Sequence, residues 1–207
     1  MTATPTSTPT NAPARRGWRV VDIVVAAVLG VATGLIFVVW NNVGYAWNLA
    51  MDAITPGFGG IAVGIWLLGG VLGGLIIGKP GAALFVEVLA AVVSMLLGSQ
   101  WAIETVYSGI AQGLGAELIF LLVGYRRATP VIAMLAGAAA GAFAWLLELF
   151  LSGNLAKGGT FLVIYLVTVV ISGAVLGGLV GWFLTKALAA TGALSRFRVG
   201  RDARTTS

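Results

Sequence analysis

Long apolar runs dominate the chain, and short clusters of Gly, Pro, Asn and charge break them up. The blocks at 20–40, 59–78, 82–99, 106–125, 130–151 and 160–188 each read as a helix of membrane-crossing length. A hydrocarbon core of about 30 Å needs roughly 20 apolar residues in helical form. The last block is long enough to tilt, or to leave the membrane at its end. Residues 1–14 are rich in Thr and Pro and predict a disordered tail. The first apolar run is longer than the core of a secretory signal, and no Ala-x-Ala site follows it, so it is read as an uncleaved span. The expected organisation is a basic tail at 1–19, a six-helix membrane domain at 20–188 and a second basic tail at 189–207. The 41–58 segment is expected to be an outer loop that acts as a lid.

Charge placement tests this count. Arg15, Arg16 and Arg19 precede the first span, Lys79 lies between the second and third, and Arg126 and Arg127 lie between the fourth and fifth. Lys186, Arg196, Arg198, Arg201 and Arg204 sit at or beyond the end of the sixth. With six spans, eleven of the twelve basic residues fall on one side and only Lys157 on the other. Basic residues collect in cytoplasmic loops. The pattern therefore predicts an all-α integral membrane protein with both termini cytoplasmic. The net charge of +5 then reflects topology and anionic lipid headgroups rather than nucleic acid.

Composition narrows the chemistry. Hydrophobic types make up 59% of the 207 residues, charged types only 9%, and the mean hydropathy is +1.01. Soluble domains carry about 25% charged residues, so a soluble enzyme is excluded. Without Cys or His there are no disulfides, thiol nucleophiles, Cys- or His-ligated metals or Ser–His triads. No nucleophile–base pair or metal cluster suggests a membrane enzyme. Gly73 to Lys79 mimics a phosphate-binding loop, but Pro80 stands where Ser or Thr must hold magnesium, and the segment ends a membrane helix. It reads as a turn. Any ATP-driven step therefore needs a partner.

Thirty glycines concentrate in the apolar runs. Ala26, Gly30 and Gly34 form a small-residue stripe on the first span, and similar stripes mark the second and sixth. Such stripes let helices approach closely in lipid. They predict packing within the bundle, and on the first span they also suggest docking to another protein. The pentapeptide VLGGL occurs at both 71–75 and 175–179.

Acids inside apolar runs are expensive, at about 2.5–3.5 kcal/mol each on insertion scales. Glu87, Glu117 and Glu148 occupy such positions, and none has a basic residue at its own depth. Helical spacing sets Glu104, Ser108 and Gln112 in one row and Gly109, Gly113 and Glu117 in the next. Trp40, Asn41 and Asn42 end the first span. Trp101 and Tyr107 lie near the same outer level, and Trp145 shares a face with Glu148. Aromatic rings at this depth also suit an interfacial belt. Carboxylates beside aromatic faces suit an organic cation, and amides suit a ring bearing amines.

The segment GKPGAALFVEVLAAVVSMLLGS (78–99), then Trp101 and GIAQGLGAELIF (109–120), resembles the YkoE family. These are substrate-binding S components of energy-coupling factor (ECF) transporters for thiamine or its hydroxymethylpyrimidine precursor. The resemblance implies a multi-pass bacterial plasma-membrane protein. It also implies a transmembrane coupling protein and ATPase subunits that use the ATP, with no cofactor in this chain. A stripe such as Ala26, Gly30 and Gly34 would then meet the coupling protein.

The expected function is non-enzymatic capture of thiamine or its precursor. Glu117, Glu104 or Glu148 would face the cation, with Glu87 a further candidate deeper in the membrane. Gln112 and Asn41 or Asn42 would bond the pyrimidine, and Trp40, Trp101, Tyr107 and Trp145 would stack on it. The main alternative is a stand-alone proton- or cation-coupled transporter relaying through Glu87 and Glu117. A ligand-free membrane scaffold is the third reading.

Overall fold

The computed structural model describes residues 17–205, and every regular element in that range is helical. The expected disorder of 1–14, and Arg15 and Arg16, lie outside the described residues. Five helical stretches are long and apolar enough to cross a membrane: Val20–Ile54, Phe58–Ile77, Glu104–Leu122, Pro130–Leu151 and Gly159–Ala190. Ala82–Leu96 is a sixth, shorter apolar helix.

Helix α1 (Val20–Ile54) is the first departure from expectation. Its 35 residues span about 52 Å at 1.5 Å per residue. The segment expected as a lid loop is therefore mostly helix. Its polar residues do not break the helix because they fall on one side: Asn41 and Gly44 are buried, and Tyr45, Asn48 and Asp52 continue that side partly buried. Thr55 is extended and Gly57 takes a left-handed φ of +98°, which ends the rod and turns the chain back.

The second crossing begins as a 3₁₀ helix (Phe58–Leu67) and continues as α2 (Leu68–Ile77). Ten residues is long for 3₁₀ geometry. Partners outside the segment sustain it. The Gly64 N–H donates to Ser172 Oγ at 2.9 Å, and that hydroxyl donates to Ile61 O at 2.6 Å. Close approach is possible only because position 64 lacks a side chain, since a Cβ there would overlap the Ser172 carbonyl.

Helices α3 (Ala82–Leu96), α4 (Glu104–Leu122) and α5 (Pro130–Leu151) follow. Thr129 caps α5 by accepting the Ile132 N–H at 3.3 Å, with Pro130 in the first turn. A short 3₁₀ turn (Asn154–Lys157) leads to α6 (Gly159–Ser172), a π-helical segment (Gly173–Leu179) and α7 (Val180–Ala190). The π segment lies where α5 and the last crossing touch backbone to backbone: a Cβ at Gly137 or Gly173 would overlap the other's carbonyl. The two copies of VLGGL thus adopt different geometries, α at 71–75 and π at 175–179.

One end of the bundle gathers Arg19, Lys79 and Arg198. Lys79 donates to Asp22 Oδ2 at 2.5 Å and to Gly17 O at 2.6 Å, while Trp18 Nε1 donates to Pro80 O at 3.0 Å. Arg198 donates to Tyr125 O at 3.2 Å. Asp22 is fully buried between Arg19 and Lys79. The described part of the stretch expected as a basic C-terminal tail packs at this end. Leu194, Phe197 and Val199 are buried in a cluster with Ile76, Ile77 and Ala189, and Val199 lies in a short helix α8 (Arg198–Thr205). The described parts of both chain ends therefore lie at the same end of the bundle.

The structure places the expected docking stripe inside the bundle. Ala26 is completely buried, and Gly30 and Gly34 are buried with it. A Cβ on Gly30 would stand 2.7 Å from Leu89 Cδ2, and one on Gly34 would stand 2.7 Å from Val93 Cβ. The stripe seats α1 on α3, which is the packing within the bundle that its small residues also predict. The face α1 leaves exposed carries Val24, Val28, Val31 and Leu35.

Candidate functional site

A cavity of about 320 Å³ opens at the end opposite the arginines. Helices α1, α4 and α5, the 3₁₀ segment, the 154–157 turn and α6 all contribute to its lining. Its floor is a connected polar chain. Trp66 Nε1 donates to Asn41 Oδ1 at 2.9 Å, and Asn41 Nδ2 donates to Ser94 Oγ at 3.0 Å. With its amide turned to satisfy the groups it faces, Gln112 donates to Trp66 O at 3.1 Å and to Glu87 Oε1 at 3.2 Å. Glu87 Oε2 in turn accepts the Gly70 N–H at 2.5 Å. A side chain at Gly69 would come within 2.8 Å of that carboxylate, so glycine makes room for it. Buried polar groups joined this way are rigid, because breaking any link strands a donor or acceptor.

The walls are aromatic. Trp101 stands edge-on between Tyr45 (5.3 Å, 90°) and Trp66 (5.6 Å, 90°). Phe161 and Tyr165, one turn apart on α6, are stacked at 5.5 Å and 20°. Three carboxylates reach the lining: Asp52 from α1, Glu104 from the first turn of α4 and Glu148 from α5. Asp52 Oδ1 accepts the N–H groups of Gly57 and Gly59 at 3.0 and 2.7 Å, which anchors the start of the 3₁₀ segment. Glu148 Oε2 accepts the Tyr165 hydroxyl at 2.7 Å. Lys157 is the one basic residue in the lining, and its Nζ lies 4.6 Å from the Phe161 ring centroid. The ion pairs found among the described residues both involve Asp22, at the other end. The lining thus carries a formal surplus of negative charge beside aromatic faces. That arrangement attracts a flat organic cation by charge and by ring quadrupole, more strongly where water is partly excluded.

Five of the expected site residues line this cavity: Asn41, Trp101, Glu104, Gln112 and Glu148. Six do not. Glu87 lies one layer beneath, bonded to Gly70 and Gln112. Trp40 donates to Ala62 O at 2.9 Å and meets Trp66 edge-on, so it supports the floor from behind. Asn42 is exposed and bonds Val38 O on its own helix. Tyr107 is about half exposed in an apolar groove between α4 and α5. Trp145 donates to Leu162 O at 3.1 Å, joining α5 to α6.

Glu117 departs furthest. It sits near the basic end, where its carboxylate accepts the N–H groups of Gly81 (2.6 Å), Ala83 (2.9 Å) and Leu84 (3.3 Å) and the Tyr125 hydroxyl (2.5 Å). Those amides are the unpaired donors at the start of α3. Glu117 is the cap that α3 does not supply from its own sequence.

The expected list omits several lining residues. Tyr45 and Asp52 continue the Asn41 stripe at helical spacing, a signal available once α1 is extended past residue 40. Trp66 is a single indole inside an apolar run, and its N–H is the mark of a polar partner there. Phe161 and Tyr165 show the i, i+4 spacing of a shared face. Asn154 and Lys157 lie in a four-residue turn that has no periodicity to read.

Comparisons with known proteins place this architecture. A family model described as "ABC-type cobalt transport system, permease component" matches residues 21–143. YkoE of Bacillus subtilis (strain 168), named as an HMP/thiamine permease protein, is 34% identical over 191 residues, covering 90% of this chain and 92% of its own. A solved structure described as an S-component of an ECF transporter superposes with a TM-score of 0.78. It shares 31% identity and covers 92% of this chain and 95% of that one. A helical bundle with a polar-aromatic cavity at one end and this fold is an S component, a membrane transport protein. Within that class the chain belongs to the YkoE family.

Proposed function

We propose that this chain is the capture subunit of an ATP-driven ECF-type importer, taking up thiamine or its hydroxymethylpyrimidine precursor. In this reading it crosses a bacterial plasma membrane six times, with the basic end in the cytoplasm and the cavity facing outward. A transmembrane coupling protein and ATPase subunits supply the energy. The basic cluster at one end supports the orientation, through the bias of Lys and Arg toward the cytoplasm.

The observation that carries the reading is the pairing of Asp52, Glu104 and Glu148 with Tyr45, Trp66, Trp101 and the Phe161–Tyr165 stack in one cavity. Thiamine joins a cationic thiazolium to a flat aminopyrimidine. The carboxylates balance the first, and the aromatic walls hold the second. Gln112 and Asn41 already bond to the floor, so their part is to hold Trp66 in place. The name of the matching family model raises cobalt as a rival cargo. The sequence has no His or Cys, and among the described residues no three Asp or Glu side chains converge as ligands would. The donor set therefore favours an organic cation.

Trp66 and Trp101 in the lining permit a fluorescence titration of the purified chain with thiamine and with hydroxymethylpyrimidine. Saturable quenching is expected, and Glu148→Gln weakens thiamine about tenfold, roughly 1.4 kcal/mol. Failure of both compounds to bind would refute the reading. Uptake by the chain alone in vesicles, driven by a proton gradient, would replace it with a stand-alone cation-coupled transporter.

A further inference from the structure

We infer that Asn154 is a specificity residue of this cavity: its side-chain oxygen accepts an N–H from an amino group on the bound heteroaromatic ring, selecting amino-substituted rings over their oxo counterparts. This rests on the reading of the cavity as the vitamin site. Asn154 lines the cavity and opens the 3₁₀ turn between α5 and α6. It is only 3% exposed, yet among the described residues its Oδ1 meets no hydrogen-bond donor. The other polar lining groups with resolved bonds are occupied: Asn41, Gln112 and Trp66 by one another and by the floor, Glu148 by the Tyr165 hydroxyl.

A buried acceptor without a donor is unfavourable, and native interiors rarely leave one. At a binding cavity the missing donor is most simply the guest. A ring amine supplies it. A ring carbonyl in the same place would set acceptor against acceptor. Sites built around one hydrogen bond discriminate strongly, because the wrong guest strands a buried group. The turn is suited to hold such a residue. Gly153 and Gly158, with φ of 63° and 88°, bracket it, and Ala156 N–H closes it on Gly153 O at 3.1 Å. Those left-handed positions favour glycine, so the turn is defined by its ends and Asn154 is fixed at its start. Lys157, in the same turn, has no acceptor to offer, so Asn154 is the turn's neutral reader.

The test uses the full chain in lipid nanodiscs, titrated with thiamine and with its 4-oxo analogue, as wild type, Asn154→Ala and Asn154→Asp. Wild type is expected to prefer thiamine by at least about tenfold. Asn154→Ala should lose about tenfold in thiamine affinity and most of the preference. Asn154→Asp, which keeps an acceptor, should retain the preference. Ligand-free Asn154→Ala should melt at or above the wild-type temperature, because the change removes an unsatisfied group. Thiamine binding with no dependence on Asn154, or with equal affinity for both rings, overturns this inference and leaves the proposed function standing. Absence of binding by wild type to thiamine and to hydroxymethylpyrimidine overturns both. A ligand-free Asn154→Ala that melts well below wild type makes the residue structural and overturns the inference alone.

Discussion

Glu117→Ala separates a structural carboxylate from a ligand-binding one. The side chain accepts four hydrogen bonds, three from the start of α3 and one from Tyr125. Loss of a helix N-cap costs up to about 2 kcal/mol, and a lost bond to a charged group adds about 1.5 kcal/mol or more. Water at the end of the bundle replaces part of this, so the net loss is about 3 kcal/mol. Glu117→Gln keeps one acceptor oxygen but turns an NH₂ toward backbone donors, and should lose roughly half as much. Tyr125→Phe removes one bond and should cost about 1 kcal/mol. The assay is unfolding of the purified protein in graded denaturing detergent, read by tryptophan fluorescence, with thiamine affinity measured alongside. Stability should fall in the order wild type, Tyr125→Phe, Glu117→Gln, Glu117→Ala, while the affinity of the folded fraction stays within about threefold. A tenfold loss of affinity with an unchanged unfolding midpoint would refute the assignment and return Glu117 to the site.

Two further substitutions probe the interior. Glu87→Leu should destabilise by about 2–4 kcal/mol, because it strands the Gly70 N–H and the Gln112 amide; Glu87→Gln should be milder, and unfolding midpoints for the pair check the order. Gly34→Val sets a side chain against Val93 and the Ala90 carbonyl and should cost about 1–3 kcal/mol. A lower melting temperature of the isolated chain is expected, whereas a fully stable variant that failed only to join a partner would restore the stripe as a docking surface.

The apolar helices are legible in the sequence, and the depth of their polar side chains is not. Apolar length outlines the helical stretches, because the bilayer constrains that length directly. The polar side chains after Trp40 predict a loop, whereas the helix runs on to Ile54. On α1 the same residues line one side of a continuing helix, which a helical-period count through residue 52 would have revealed. Glu117 and Glu148 read alike as acids without basic partners. The difference is that backbone N–H groups from another helix satisfy Glu117, and no local pattern encodes that. The two VLGGL segments make the same point about geometry. Identical residues wind as α beside α3 and as π against Gly137, so the neighbour decides.

The length of α1 has a consequence for how a guest arrives. A rod of about 52 Å exceeds a hydrocarbon layer of about 30 Å, so upright or leaning it carries its last turns into the headgroup zone. Asn48 and Asp52 ride on those turns and form part of the cavity wall. On the proposed reading the entrance stands in hydrated territory, and a cationic guest would meet Asp52 before it has to shed its water. Lipid headgroups around that rim would then form part of the doorway, and their charge would tune how often a cation arrives.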